Sequence, residues 1–393
     1  MTVLVFLLAF SLLAGCGAST TTTAAMTTAT TNAATSTGEG TTAATNIGTP
    51  DAKSVGVIIW ATDDVLSASV KRLLDYAGEA LNVKLSYKTG DFDTESQVKA
   101  AENFVAAGVD GIMCVPLIDS GIPKIYQVCE DAKIPYVQMF RQIIDADTAA
   151  QMETAPYYLG YTVESEETAG AALLQTLVDA GCSKIACIYT APGSTVTDNR
   201  QVGVEAAFAA GVATKITEAV LPMTPNAQNA IDATKTFINQ FPEVDGIFMT
   251  SGAVGIAEGT IATIESLGAA GKVKVATFDQ PANSIDAFTK GILAGAATGM
   301  YTDPLFSFSI LCNYMQGNPL DTKPVKIASN YIYLTNLEDA NNYSKYVDGV
   351  GIYPYTKEEI QQMTKWYNPS FTVSDLQQLA TDWSMENVMA KVG

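Results

Sequence analysis

The chain contains no histidine among its 393 residues. This absence removes the commonest general base and the commonest metal ligand from any site that the chain could build. Basic residues are also scarce: 22 Lys and Arg stand against 41 Asp and Glu, so the formal net charge is −19. An acidic surface of this kind repels polyanions, and we therefore do not expect the chain to bind nucleic acid.

Motifs of metal binding and catalysis are missing as well. The five cysteines after Cys16 are odd in number and form no zinc-type CxxC pair. They predict buried free thiols, with a Cys182–Cys187 disulfide as the alternative. No GxGxxG follows a strand, and neither a GxSxG elbow nor a Walker A loop occurs. We expect no metal, no cofactor and no catalytic residue; an enzyme using only Asp and Glu is the alternative left open.

No apolar run is long enough to span a bilayer. The run from Val3 to Ala14 falls short of the roughly 20 residues that a membrane helix needs, and it is typical of a secretory signal. The four residues Leu13 to Cys16 resemble a bacterial lipobox, which implies a signal peptide over 1–16 and a lipid on Cys16. The alternative is an ordinary secretory signal. Residues 17–52 are rich in Thr and Ala and predict a disordered linker, so we expect an extracytoplasmic protein anchored to the cell membrane.

The rest of the chain alternates short apolar runs with helical patterns. Runs such as "SVGVIIWA" (54–61) and "VDGIMCVPL" (109–117) predict buried strands, and "SASVKRLLDYAGEALN" (67–82) between them has helical spacing. The alternation starts again near residue 155. Two sets of this kind predict an α/β protein with two doubly wound parallel-sheet lobes. Ligands of such sheets bind beyond the carboxyl ends of the strands.

The order of several local motifs resembles the class I periplasmic sugar-binding proteins, such as ribose-binding protein. The motifs are "AAGVDGIMCVPL", "AKIPYVQMFRQ", "GSTVTDNRQVGVEAAF", "FPEVDGIFMTSGAVGIAEG" and "VKVATFDQ". The resemblance implies the class I fold, with hinge crossings near Gly160, Tyr301 and Ala328. It divides the chain into an N-terminal lobe, 53–160 plus 302–328, and a C-terminal lobe, 161–301 plus 329–393. The residues after about 335 exceed the usual family length and predict a helical extension packed on the second lobe.

Candidate ligand-binding residues lie at the turns that follow the predicted strands. Trp60 offers a stacking ring, and Asp63 and Asp64 offer carboxylates; the alternative for Asp64 is a helix N-cap with Asp63 as its solvated neighbour. The resemblance adds further positions. Asp64 matches a hydroxyl-binding position, Arg141 belongs to the family's Asp-Arg pair, and Arg200 and Asp279 match an arginine and a carboxylate of the second lobe. Each arginine could instead form a structural ion pair, and Asp279 could cap a helix.

The chain departs from the family pattern at three places. Phe140 replaces the aspartate of the Asp-Arg pair, Ser251-Gly252 replaces an Asn or Asp, and Tyr301 replaces an amide or carboxylate at the second crossing. Fewer polar anchors and more rings imply a ligand that is less rich in hydroxyls than ribose. The resemblance implies a protein that captures a small molecule, in the first instance a sugar, and delivers it to an ABC permease. A nucleoside or other non-sugar ligand, and a sensing subunit for a membrane receptor, are the alternatives.

Overall fold

A computed structural model describes residues 48–62, 64–224 and 226–392 of the chain. The predicted signal peptide, the lipidation site Cys16, nearly all of the predicted linker and the candidate residue Asp63 lie outside the described residues. Within the described part, no helix is long and apolar enough to cross a membrane.

Twelve strands form the framework of the described structure. Their bounds are β1 (Lys53–Ile59), β2 (Val83–Thr89), β3 (Gly111–Cys114), β4 (Tyr136–Gln138), β5 (Tyr158–Glu164), β6 (Lys184–Thr190), β7 (Thr214–Leu221), β8 (Gly246–Met249), β9 (Lys274–Phe278), β10 (Leu293–Thr298), β11 (Val325–Ser329) and β12 (Ile332–Leu334).

Fourteen α-helices connect and cover these strands. Their bounds are α1 (Val65–Leu81), α2 (Thr94–Ala106), α3 (Ile122–Ala132), α4 (Ala146–Met152), α5 (Glu166–Asp179), α6 (Thr195–Ala209), α7 (Ala227–Gln240), α8 (Ile256–Ser266), α9 (Ser284–Thr289), α10 (Asp303–Met315), α11 (Leu337–Asn342), α12 (Lys357–Gln362), α13 (Val373–Thr381) and α14 (Met385–Val392).

The strands form two six-stranded sheets, one in each lobe. The first lobe has the strand order β11-β5-β4-β3-β1-β2, and the second has β12-β10-β9-β8-β6-β7. All pairs are parallel except β10 with β12, which is antiparallel. The central strands β3 and β8 are buried along their whole length, because helices cover both faces of each sheet. The predicted α/β class and its two doubly wound lobes are confirmed, with one antiparallel edge strand added.

Local sequence explains where the helices begin. Helix α1 starts after Asp64, whose side chain accepts a hydrogen bond from the backbone N–H of Ser67 in a capping box. Asn82 ends it in the left-handed conformation, with φ 57°. The apolar stripe of this helix faces the first sheet and is buried, as its spacing predicts.

The chain passes between the lobes three times. Strand β5 pairs with β11 as far as Glu164, and α5 begins at Glu166 against β9 and β10, so the first crossing lies at Ser165 and not near Gly160. The second crossing falls between Thr298 and Asp303 and contains Tyr301. The third joins β11 to β12 through residues 330–331, slightly later than the predicted Ala328.

The C-terminal extension packs on both lobes, whereas the sequence analysis placed it on the second lobe alone. Helix α11 lies against α9 of the second lobe, but α12 packs on α1 and α13 packs on β11 of the first lobe. The reason is the open edge of β11. The side-chain amide of Gln377 accepts a hydrogen bond from the backbone N–H of Ala328 at 3.0 Å and donates one to its carbonyl at 2.8 Å, which satisfies backbone groups that the edge strand leaves unpaired.

The cysteines within the described residues are all buried and free. Cys182 and Cys187 form no disulfide, so the predicted free thiols are confirmed and the alternative bridge is wrong. Burial raises the pKa of Cys129 to about 12 and that of Cys182 to about 11. These thiols remain protonated at neutral pH and act as small apolar side chains.

Candidate functional site

The carboxyl ends of the strands of both sheets border a cleft between the lobes. The part of this cleft that we call the aromatic chamber has a volume of about 110 Å³. This volume is below the roughly 300–1,000 Å³ of pockets for drug-sized ligands, so the chamber accommodates only a small solute. Six of the predicted site residues line it, three from each lobe: Trp60, Phe140, Arg141, Arg200, Ser251 and Asp279. That they bind a ligand stays a prediction.

An adjoining part of the cleft, which we call the acidic chamber, is larger, with a volume of about 360 Å³. It shares Asp279 with the aromatic chamber. Four carboxylate side chains line it, and no Lys or Arg does: Asp64, Glu258, Asp279 and Asp348. Asp348 forms an ion pair with Arg72, which does not itself line the acidic chamber.

Two aromatic rings form the wall that the first lobe contributes to the aromatic chamber. The rings of Trp60 and Phe140 meet edge to face, with centroids 5.6 Å apart, a favoured geometry for aromatic pairs. The backbone of Phe140 has φ 60°, and its N–H donates to Oδ1 of Asp303 at 3.0 Å. The left-handed backbone and this hydrogen bond together aim the ring of Phe140 into the chamber, where it can contact C–H groups of a ligand.

Asp64 forms the helix N-cap that the sequence left open as an alternative, and its ligand-binding role stays a prediction. Its Oδ1 caps helix α1, and its Oδ2 accepts a hydrogen bond from the indole Nε1 of Trp60 at 2.6 Å. The carboxylate also lines the acidic chamber. Asp64 therefore orients the Trp60 ring and presents negative charge to the cleft.

Arg200 forms a buried ion pair in the second lobe. Its Nε donates to Oε2 of Glu166 at 2.7 Å, its Nη1 to the Thr250 carbonyl at 2.9 Å, and its Nη2 to the Tyr331 hydroxyl at 2.6 Å. The guanidinium also lies 3.9 Å from the ring centroid of Phe278. Burial lowers the pKa of Arg200, but the charges of Glu166, Tyr331 and Asp279 and the hydrogen bond to Glu166 together raise it by more, so the net shift is upward. The ion-pair alternative therefore describes Arg200, although this residue also lines the chamber.

Arg141 is held differently, without a carboxylate at ion-pair distance among the described residues. Its Nη1 donates to the Phe140 carbonyl at 3.0 Å, and its buried Nε has no hydrogen-bond partner in the described structure. Burial lowers the pKa of Arg141 from its ordinary value. A buried donor without a partner is costly, and a ligand oxygen in the aromatic chamber could supply that partner.

Asp279 follows β9 and closes the second-lobe side of the aromatic chamber. Its Oδ2 accepts hydrogen bonds from the backbone N–H of Gly252 at 3.1 Å and from the Ser251 hydroxyl at 3.3 Å. Burial raises its pKa, Arg200 lowers it and Asp64 raises it again, with a net upward shift. Helix α9 is capped at Asn283, so Asp279 does not cap it. The left-handed backbone of Asp279, with φ 65°, turns its carboxylate into the cleft.

Tyr301 lies outside the aromatic chamber. Its hydroxyl donates to the carbonyl of Val347 at 2.6 Å, and its ring packs edge to face against Trp383 of the C-terminal extension. It lines the acidic chamber but is 2% exposed. Tyr301 therefore joins the second crossing to the C-terminal extension. The hydroxyl of Tyr301 already donates its hydrogen bond to the Val347 carbonyl.

Three buried carboxyl groups of the site are not identified from the sequence alone. Glu164 and Glu166 flank the first crossing and line the aromatic chamber, and Asp303 begins α10 directly beneath it, where it bonds Phe140 and Thr162. In sequence, "ESEETAG" and "DP" are typical of ordinary helix starts. The signal that could have found Glu164 and Asp303 is their position at the hinge crossings, where both lobes meet.

A two-lobed protein with three hinge crossings and a ligand-sized cleft between its lobes is, by fold and site, a solute-binding protein. The sequence model for the periplasmic binding protein domain matches residues 55–303, more than half of the chain. The chain therefore belongs to the periplasmic binding protein family. Its predicted resemblance to the class I proteins is confirmed, and so is the prediction that it is not an enzyme. No group of His, Cys, Asp and Glu within the described residues is arranged to hold a metal ion.

Individual relatives are distant. The galactofuranose-binding protein YtfQ of Escherichia coli is 33% identical over 76 residues, which is 19% of this chain and 24% of that protein. The xylitol-binding protein of Mycolicibacterium smegmatis is 22% identical over 283 residues, covering 70% of this chain and 76% of that protein. A solute-binding protein of Actinobacillus succinogenes, solved with bound D-allose, superposes with a TM-score of 0.64 at 19% identity, covering 74% of this chain and 100% of that one.

Proposed function

We propose that the chain is an extracytoplasmic, lipid-anchored protein that captures a sugar or polyol between its lobes and delivers it to an ABC permease. The observation that carries the proposal is the aromatic chamber, where Phe140 and Arg141 of the first lobe meet Arg200 and Asp279 of the second. Ligand contacts from both lobes favour the closed form, because a ligand that touches both sides binds that form more tightly.

The chemistry of the chamber suits a small neutral polyol with one apolar face. The rings of Trp60 and Phe140 can cover C–H groups, while Arg141 and the carboxylate of Asp279 can bond hydroxyls on the opposite edge. The relatives named above bind galactofuranose, xylitol and D-allose, which supports this ligand class.

A thermal-shift and calorimetric titration tests the proposal. The panel contains D-galactose, D-allose, D-ribose, xylitol and myo-inositol, with uridine and adenosine as the nucleoside arm. We expect at least one sugar or polyol to raise the melting temperature with saturable, one-site binding. A response to the nucleosides alone would mean that the ligand is a nucleoside and not a sugar or polyol. No response across the panel would overturn the proposal.

Anchoring and delivery need separate experiments. If Cys16 carries lipid, the wild-type protein fractionates with membranes, whereas Cys16→Ser is released into the soluble extracytoplasmic fraction. If the protein serves a permease, deleting its gene abolishes uptake of the radiolabelled panel sugar that it binds. Normal uptake combined with loss of a transcriptional or chemotactic response to that sugar would favour the sensing role.

A further inference from the structure

Glu164 is a buried carboxyl group in the cleft, and none of the contacts described above involves it as a hydrogen-bond partner. It is the last residue of β5, at the first hinge crossing, and only 3% of its surface is exposed. It lines the aromatic chamber, and its Oε1 has no hydrogen-bond partner among the described residues. A polar atom in this state costs about 1–3 kcal/mol unless something bonds to it. A bound ligand is the natural partner, because the atom borders the ligand cavity.

Charged and titratable groups from several structural elements surround Glu164. Asp303 lies on α10, Glu166 and Arg200 form their ion pair on α5 and α6, and Tyr331 and Arg141 stand at the edge of the group. Three carboxyl groups therefore share this buried region with two guanidinium groups. Full ionisation would leave one uncompensated negative charge in a region of low dielectric, which is strongly unfavourable.

Hydrogen bonds decide which of the three carboxyl groups holds a proton. Asp303 accepts from the Phe140 N–H and from the Thr162 hydroxyl. Glu166 accepts from Arg200 and from the Tyr331 hydroxyl, the latter at 2.9 Å. These donors partly offset the effect of burial on the pKa of Asp303 and of Glu166. Among the described residues no side chain donates to Glu164, so the proton that balances the cluster is held most firmly there.

We propose that Glu164 contacts the bound sugar or polyol as an uncharged carboxyl group and donates a hydrogen bond to one of its oxygens. This inference rests on the proposed function and adds the residue and the protonation state that recognise the ligand. The direction of the pKa shift agrees with it: burial, followed by the charges of Asp303 and Glu166, raises the pKa of Glu164 well above its ordinary value.

The sign of the pH dependence follows directly. Only the protonated form of Glu164 can donate, so affinity is highest at low pH and falls as pH rises through the pKa of Glu164. One linked proton gives a limiting slope of about tenfold in Kd per pH unit. The measurement is calorimetric titration of the panel sugar or polyol with the largest thermal shift, at pH 5 to 8.5.

Three variants identify the group responsible. Glu164→Gln keeps an N–H donor that cannot titrate, so we expect wild-type affinity at low pH and little change as pH rises. Glu164→Ala removes the donor, and we expect a Kd at least tenfold higher at pH 5. Glu167→Gln is the matched control, because Glu167 is an exposed carboxylate at the start of α5, three residues after Glu164; we expect it to bind as the wild type does at every pH.

Several results would overturn the inference while leaving the proposed function intact. They are a wild-type Kd that decreases as pH rises over this range, Glu164→Ala binding as tightly as the wild type, and Glu164→Gln losing as much affinity as Glu164→Ala. A full pH slope retained in Glu164→Gln would assign the titration to another carboxyl group of the cleft, such as Asp303 or Asp279, and would also overturn the inference. The wild-type profile needs no variant to fold. If no panel member binds at any pH, the proposed function fails and the inference fails with it.

Discussion

The guanidinium of Arg200 and the carboxylate of Glu166 form a buried pair, with Nε and Oε2 2.7 Å apart and both side chains less than one-tenth exposed. The pair joins α6 to the first hinge crossing. Removing one member of a buried pair leaves the other charge uncompensated and costs about 3–5 kcal/mol. We expect Arg200→Ala to lower the free energy of unfolding of the ligand-free protein by this amount, measured by urea denaturation.

The matched control for Arg200 is Lys290→Ala, which removes two solvent-exposed pairs on the same lobe, with Glu265 and with Asp286. Surface pairs of this kind contribute little, so its unfolding midpoint should stay close to that of the wild type. An Arg200→Ala protein as stable as the control would show that the pair contributes nothing measurable to folding, and Arg200 would then serve the ligand alone.

Arg141 should behave in the opposite way. Its one side-chain hydrogen bond goes to the Phe140 carbonyl, and its Nε has no partner among the described residues. We expect Arg141→Ala to lower the melting temperature of the ligand-free protein much less than Arg200→Ala does, because Arg141 forms no ion pair and acts on the buried carboxyl groups only through its charge. A hydrogen bond from a charged donor is worth about 1.5–3 kcal/mol, so we expect ligand affinity to fall by about one to two orders of magnitude. Thermal shift and calorimetry with the panel sugar measure both effects.

Arg141→Lys serves as the control for charge, because it keeps the positive charge and loses the planar fork. We expect it to recover only part of the lost affinity. Wild-type affinity in Arg141→Ala would remove Arg141 from the ligand site.

The framework of the molecule could be predicted from the sequence because it depends on local patterns. Apolar runs and helical spacing mark β1 to β9 and most of the helices between them, and Trp60, Phe140 and Asp279 could be placed because each lies within two residues of the end of a strand. The buried acids could not be found in this way. Glu166 meets Arg200 from 34 positions away, and no local pattern distinguishes such a pair from an ordinary acidic helix start.

The C-terminal extension shows the same limit. Its amphipathic pattern predicts an apolar stripe on each helix, but a stripe does not specify the surface that it covers. The partner of α13 is the edge strand β11, and the contact depends on the alignment of Gln377 with Ala328. Only the folded arrangement of the first sheet creates that edge.

Asp303 makes the stability of the protein depend on pH. Burial raises its pKa to about 7, whereas an aspartate in an unfolded chain titrates near about 3.9. Between these values the native state holds more protons than the unfolded state, so stability falls as pH rises from about 4 to about 7 and is level above. Glu164, Glu166 and Asp279 shift in the same direction. We expect Asp303→Asn to flatten, without abolishing, the decline in melting temperature over this range.

Asp321→Asn is the control for the pH series. Asp321 is exposed, and hydrogen bonds from the backbone N–H groups of Lys323 and Thr322 lower its pKa below the ordinary value. It therefore titrates below an ordinary aspartate, and the variant should retain the wild-type decline. Identical pH profiles for Asp303→Asn and the wild type would place the excess protons on other carboxyl groups of the cleft.

Trp383 of the extension is 2% exposed and packs between Tyr301 of the second crossing and Tyr355, with ring centroids 6.1 and 6.2 Å away. Truncating a buried tryptophan to alanine costs about 3–5 kcal/mol. We expect Trp383→Ala to lower the free energy of unfolding by this amount in urea denaturation. We also expect it to weaken ligand binding, because Tyr301 loses its support and the second crossing becomes less ordered.

Trp366 offers a matched control in the same extension, since it is only partly buried and its indole N–H donates to the Gly48 carbonyl at 2.8 Å. Trp366→Ala should cost less stability and leave ligand affinity unchanged, because Trp366 lines neither of the two chambers. Equal losses of stability and unchanged affinity in both variants would mean that the extension stabilises the fold by packing and does not affect the ligand site. A loss of affinity confined to Trp383→Ala would mean that it also supports the hinge on which closure depends.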